Sequence, residues 1–170
     1  MHLNRKGADV DYDINFARSD EEAELRGIFL DSEMDLAGEL EEHVVIKARD
    51  EVIGGGLMTR TGIDTYHLTV FAVRESARGN GIGGILIREL IRQPWKHSLN
   101  QTGAVGARFT VTTMAKGKSS GFYQKNGFAP CSPDELADPY RGQCDDCPER
   151  ESCNPVPMRY RGLIPEAPGA

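Results

Sequence analysis

Between Val73 and the apolar run beginning at Ile82, the chain reads Arg74-Glu75-Ser76-Ala77-Arg78-Gly79-Asn80-Gly81-Ile82-Gly83-Gly84, with four glycines in its last six positions. Glycine lets a backbone curl tightly and bring several N–H groups to one point, and a helix start adds its own unpaired N–H groups and the positive end of its dipole. With the full charge of Arg78 beside them, these residues have the chemistry of a pyrophosphate cradle. The chain's four cysteines, Cys131, Cys144, Cys147 and Cys153, follow the spacing C-x12-C-x2-C-x5-C. Four thiolates complete a tetrahedral zinc site, and an iron–sulfur cluster uses the same number. Structural zinc is the expectation and the cluster its alternative; disulfides would need an oxidising compartment, for which the sequence carries no signal.

The glycine segment admits three readings. Gly79, Gly81 and Gly84 satisfy G-x-G-x-x-G, the dinucleotide-binding pattern, which needs an acidic residue about 20 positions further on. None lies between Glu89 and Asp134, and the motif follows several strands instead of opening a first βαβ unit. Arg78, Gly81 and Gly83 form instead R-x-x-G-x-G. A plain glycine-rich connection is the third reading.

Val73 through Gly83 resembles the pyrophosphate-binding motif of the GNAT superfamily of N-acetyltransferases. Phe122-Tyr123-Gln124-Lys125-Asn126-Gly127-Phe128 resembles that family's F-Y-x-x-x-G-F segment, one helix and one strand later. The resemblance runs from about Asp13 to Phe128. It implies acetyl-CoA as cosubstrate, with the pantetheine arm pairing along backbone groups of Phe71 and Val73 as an added strand. The N–H groups of Gly79, Asn80, Gly81, Ile82, Gly83 and Gly84 would hold the pyrophosphate, Arg78 beside them. Lys116 or Lys118 would reach the remaining phosphate, or simply be solvated. The resemblance places Tyr123 at the general-acid position, and His67 where family members often carry a glutamate base. His43, Glu41 and Glu42 are further base candidates, as is water. One departure stands out: many family members have an asparagine where this chain has Lys116, seven residues before the tyrosine.

The elements that must position these groups follow from periodicity and punctuation. Asp13–Arg18 reads as a first strand, and Ser19 with Glu22 as a capping box opening a helix whose apolar face holds Leu25, Ile28 and Phe29. Segments 43–49 and 52–60 read as a hairpin about Asp50-Glu51, with Gly54-Gly55-Gly56 marking a bulge or a close backbone approach. Thr65–Val73 is a strand and Ile82–Arg92 a helix, ended by Pro94. Val105–Thr113 is a central strand, Ser119–Asn126 a short helix stopped by Gly127, and Val156–Tyr160 a last strand. The expected fold is α+β: a mixed, mostly antiparallel central sheet with helices on both faces, plus a cysteine-rich C-terminal appendage.

At 170 residues the chain suits one domain with one core. We expect that domain to span 11–160, with the cysteine-rich insert at about 130–157 and tails at 1–10 and 164–170. No apolar run has the length of a membrane span, and the first ten residues lack an export core, so the expected compartment is the cytoplasm. The net charge of −6 is uneven: residues 76–133 hold eight Lys/Arg against one Asp/Glu, whereas residues 1–75 hold eight against seventeen. The basic segment coincides with the glycine turn, which favours an anion site there. The acidic remainder sets nucleic acid aside as a ligand, and with it an enzyme acylating aminoacyl-tRNA. Six carboxylates between Asp31 and Glu42 point to a cationic acceptor, a small-molecule or peptide amine; a homodimer is compatible with the sequence. The reading from another class is a non-catalytic acyl-CoA-binding or metal-linked interaction module on the same fold.

Overall fold

A computed structural model describes residues 2–3, 10–99 and 106–164. Its strands form one sheet in the order β1-β2-β3-β4-β5-β6-β8-β7. These are β1 (His2–Leu3), β2 (Tyr12–Phe16), β3 (Val44–Ala48), β4 (Glu51–Arg60), β5 (Thr65–Val73), β6 (Arg108–Ala115), β7 (Ala129–Pro130) and β8 (Val156–Leu163). Only β5 and β6 run parallel; every other neighbouring pair is antiparallel. The helices are α1 (Glu22–Asp31), α2 (Ile82–Arg92), α3 (Ser120–Lys125) and α4 (Arg150–Cys153).

Local chemistry explains the joints. The β3–β4 hairpin turns through Arg49 and Asp50, both at positive φ (52° and 64°), the pair of left-handed residues that a two-residue hairpin loop demands. A capping contact precedes α1, but one residue earlier than Ser19 and Glu22 suggest: Glu21 Oε1 accepts the Arg18 N–H at 2.9 Å, across a 3-10 turn at Ser19–Glu21. Gly127, at φ 95°, ends α3 in the left-handed conformation that glycine adopts freely. The glycines of β4 serve a close approach. A Cβ on Gly55 would lie 2.5 Å from Leu25 Cδ1, so their smallness lets α1 settle on the sheet.

Two cores sit on opposite faces. Leu25, Ile28 and Phe29 of α1 pack with Val45, Val52, Leu57, Val70 and Ala72. Ile82, Leu86, Ile87, Leu90 and Ile91 of α2 pack with Ile46, Met58, Tyr66, Leu68, Phe109 and Val111 on the other. The stretch 32–43 is a loop ending in a 3-10 turn at Leu40–Glu42. Among the described residues no helix is long and apolar enough to cross a membrane. Part of the expected N-terminal tail is ordered, with His2 and Leu3 pairing with Asp13 and Tyr12. The rest of both expected tails, apart from Val10 and Ile164, and Val105 of the expected central strand lie outside the described residues.

The β7–β8 connection, residues 131–155, holds the cysteines but does not gather them. Cys131 is tied to the sheet by its N–H bond to Pro157 O (2.9 Å) and sits beside Glu135. Cys144 has Cys147 and Cys153 as its thiol neighbours instead. All four are free thiols, and among the described residues no three His, Cys, Asp or Glu side chains are arranged to hold an ion. The expected four-thiolate zinc or iron–sulfur site thus finds no support in the arrangement of the described residues.

Candidate active site

The site begins where two parallel strands part. Thr65–Leu68 of β5 pair with Thr110–Thr113 of β6, and there the pairing stops. β5 carries an extra residue at this point, Thr69, since Leu57 faces Val70 while Met58 faces Leu68. A bulge bends its strand and strengthens the local twist. β6 meanwhile continues against β8 as far as Ala115. The edge of β5 from Thr69 to Val73 that would face β6 is thus left open, and a cleft of about 600 Å³ occupies the fork.

The glycine turn forms one end of this cleft. Gly79 and Gly81 have φ of 84° and 76°, and Gly81 is the N-cap of α2. The first intrahelical bond runs from Ile85 N–H to Gly81 O (3.1 Å), so the N–H groups of Ile82, Gly83 and Gly84 precede any helical acceptor. Gly83 lies so close to Phe122 that a Cβ there would meet its ring at 3.2 Å. Phe71, Val73, Arg78, Gly79, Gly81, Ile82, Gly83, Gly84 and Lys116 all line the cleft. Asn80 does not; its side-chain amide donates to Ala77 O at 3.4 Å.

Two cations cross the cleft mouth. Arg78 donates from Nε to Val73 O (3.1 Å) and from Nη2 to Ser32 Oγ (2.9 Å). Lys116 donates to Ser32 O at 2.5 Å and lies 3.6 Å from Glu33. Both therefore hang on the residue that ends α1. Nothing in the sequence marked Ser32 or Met34 as cleft residues, and Asp31 stood out only as one of six carboxylates, because the contact depends on how far α1 reaches across the sheet.

Tyr123 sits at the crotch of the fork, buried, with Phe71, Phe122 and Phe128 around its ring. Burial pushes its phenol up to about 12, against the smaller opposing effect of a side-chain hydrogen bond with Thr113. Thr113 Oγ1 donates to Leu68 O at 2.9 Å, at the last paired position before the strands diverge. Thr113 is a site residue the sequence did not single out, being one of several threonines in a β-branched strand.

His67 lies on the other face of β5, since Tyr66 and Leu68 on either side of it enter the α2 core. It is 1% exposed. Its Nδ1 is 2.9 Å from Thr112 Oγ1, which donates onward to Tyr66 O at 3.4 Å. With the Thr112 hydrogen directed at Tyr66 O, Nδ1–H is the donor and the lone pair is on Nε2; with it directed at Nδ1 the two roles exchange. Burial pushes the imidazole down to about 4. Between that value and the ordinary 6.5, the unfolded chain binds a proton that the folded one does not. The stability His67 contributes is thus complete above about 6.5 and falls away as pH drops to about 4, by about 3 kcal/mol in all. His43 and His97 are lowered by burial too and act in the same direction. We expect the urea midpoint to fall across this window, and His67→Leu to flatten the fall. An unchanged slope in that variant would show that His67 is hydrated.

Two of the other base candidates, His43 and Glu42, are committed elsewhere. His43 donates from Nδ1 to Glu39 O (2.9 Å) and accepts the Ala37 N–H on Nε2 (3.2 Å), which locks the loop before β3. Glu42 accepts the Glu39 N–H at 2.9 Å. Within the acidic stretch, Asp35 pairs with Arg26 and Glu33 with Lys116, so part of the expected charge is balanced locally.

An open sheet fork with an N–H cradle at one end and a phenol at its crotch defines the acetyltransferase class that draws its acyl group from coenzyme A. The family model for an acetyltransferase (GNAT) domain matches residues 39–130, and the chain belongs to that family. Among solved structures the fold is similar to N-acetylglutamate synthase from Neisseria gonorrhoeae complexed with coenzyme A and N-acetyl-glutamate (TM-score 0.67, 16% identity, 91% of this chain and 35% of that one). It is similar also to Ard1 from Thermoplasma volcanium (0.61, 16%, 90% and 99%) and to IAA acetyltransferase from Bacillus cereus ATCC 14579 (0.57, 19%, 89% and 99%). The chain thus spans about a third of the synthase and nearly all of the other two. No curated protein sequence matches it significantly.

Proposed function

We propose that this protein is an N-acyltransferase moving an acetyl or other short acyl group from coenzyme A to an amine. The observation that carries the reading is the shared cleft, into which the open edge of β5, the α2 N-terminus and Tyr123 all face. Coenzyme A would lie along Thr69–Val73 as a surrogate strand, its pyrophosphate on the N–H groups of Ile82, Gly83 and Gly84. Val73 O already accepts from Arg78, so entry of the cosubstrate would release that guanidinium toward the phosphates. Lys116 would be freed from Ser32 in the same way.

Tyr123 would act on the departing thiolate. A thiol ordinarily titrates near 8.5, so a phenol at about 12 is the weaker acid and full proton transfer is uphill. Donation of a hydrogen bond to the developing charge is the role its position suits. On the opposite face His67, held down to about 4 by burial, would accept a hydrogen bond from the incoming amine, directly or through water, with the ammonium proton passing to water. The acceptor would be cationic, drawn by the carboxylates at the end of α1, of which Asp31 lines the cleft. Polyamines, lysine-bearing peptides and amino acids at low and high salt test that preference against neutral arylamines. A salt-independent preference for the neutral amines would overturn it.

The cosubstrate assignment has its own test. Acetyl-CoA at a hundredfold excess over its dissociation constant should stabilise the fold by about 2.7 kcal/mol, and Arg78→Glu should remove most of that. A melting temperature indifferent to acetyl-CoA in the unmodified protein would refute it.

A further inference from the structure

His67 owes its burial to an element outside the α1 and α2 layers. Tyr140 lies flat on the imidazole, ring centroids 3.9 Å apart and planes 12° from parallel. Tyr140 belongs to the β7–β8 connection and is itself only half-buried, one ring face on His67. Its carrier is firmly seated. Leu136 is fully buried, Glu135 pairs with Arg159 and Arg161 of β8, and Tyr140 N–H donates to Ala137 O at 2.9 Å. Arg141 closes the segment on itself through Leu136 O (3.2 Å) and Asp134 O (3.3 Å). None of these anchors uses the Tyr140 ring, so the arm and the ring it presents are separable.

We propose that Tyr140 is the gate on the acceptor side of the sheet, its ring occupying the place against His67 that an incoming amine must take. The proposal rests on the acyltransferase reading above and narrows its substrate. Displacing the ring uncovers one face of the imidazole, and an acceptor with a planar group beside its amine restores the stack that a bare alkylamine leaves unmade. Residue 140 is thus a specificity-determining position, acting by access to His67. The depressed basicity of the imidazole fits this cover, since its cause is burial alone.

The first arm of the test needs no turnover. Diethyl pyrocarbonate labels accessible neutral imidazoles, and peptide mass spectrometry follows the His67 peptide, with buried His43 and His97 as internal controls. Tyr140→Ala should raise the His67 labelling rate at least tenfold, whereas Tyr140→Phe, which keeps the ring, should leave it as in wild type. Both variants should keep their stabilisation by acetyl-CoA, because Tyr140 does not line that cleft. The second arm compares kcat/KM for 2-phenylethylamine and ethylamine. Wild type should favour the aryl amine; Tyr140→Ala, which removes the ring that both amines must displace, should raise kcat/KM for both at least tenfold and keep their ratio, and Tyr140→Phe should change neither value. Labelling unchanged in Tyr140→Ala would overturn the gate, as would kcat/KM values for the two amines that do not rise while labelling does. Raised labelling without transfer to any amine would overturn it through its premise, the acyltransferase reading, while the geometry stood.

Discussion

Tyr123→Phe is expected to lower kcat by about 10²–10³-fold, the usual loss when one donor to a developing negative charge is removed in a water-poor site. The dissociation constant of acetyl-CoA should change little, because the ring remains among Phe71, Phe122 and Phe128 and only the hydroxyl goes. Stability should change little too, since Thr113 keeps its bond to Leu68 O. With the phenol pushed up to about 12, Tyr123 stays protonated well into alkaline solution. The wild-type rate should consequently show no alkaline loss traceable to this residue between pH 7 and 10. Pre-steady-state thiol release checks both points. An unchanged chemical step in Tyr123→Phe would reduce the residue to a packing role.

Gly81→Val should weaken acetyl-CoA binding at least tenfold, equivalent to about 1.4 kcal/mol. The reason is conformational. A Cβ at Gly81 meets nothing within 4 Å, but the residue sits at φ 76° and caps α2 there. Left-handed backbone costs an L-residue roughly 1–2 kcal/mol, and a β-branched one more. Valine should therefore pull the turn out of register with the N–H groups of Ile82, Gly83 and Gly84. Asparagine tolerates this region and should retain most of the affinity, so calorimetric titration of the two variants separates backbone geometry from bulk. Equal losses for both would remove the left-handed turn from the account.

What could be read in advance was local. Ile82–Arg92 and Thr65–Val73 have in the structure the bounds expected of them, because each is closed by residues that leave little choice: glycines before the helix, Pro94 after it, and a β-branched, aromatic composition in the strand. The glycine turn was legible for the same reason, its left-handed backbone and helix start lying in consecutive residues. The rest depends on residues distant in the chain. The single extra residue at Thr69 opens the fork, yet nothing about a threonine in a strand announces a bulge. Tyr140 comes to rest on His67 through anchors at Leu136 and Glu135 that no periodicity reveals. The cysteine spacing is suggestive in the sequence, but whether four thiols meet depends on tertiary placement, and the described residues show no such cluster. The acidic stretch read as free charge, although Arg26 and Lys116 take up part of it.

The claim on which the rest depends is transfer of an acyl group between two bound partners. Its most direct measurement is amine-dependent release of coenzyme A thiol from acetyl-CoA, with mass spectrometric identification of the acetylated amine across aryl-alkyl amines, polyamines, amino acids and lysine peptides. One class should raise thiol release well above hydrolysis, in stoichiometric step with its N-acetyl product, and Tyr123→Phe should suppress both together. Thiol release that no amine accelerates, in protein that acetyl-CoA demonstrably stabilises, would contradict it and leave a coenzyme-binding module on the same fold.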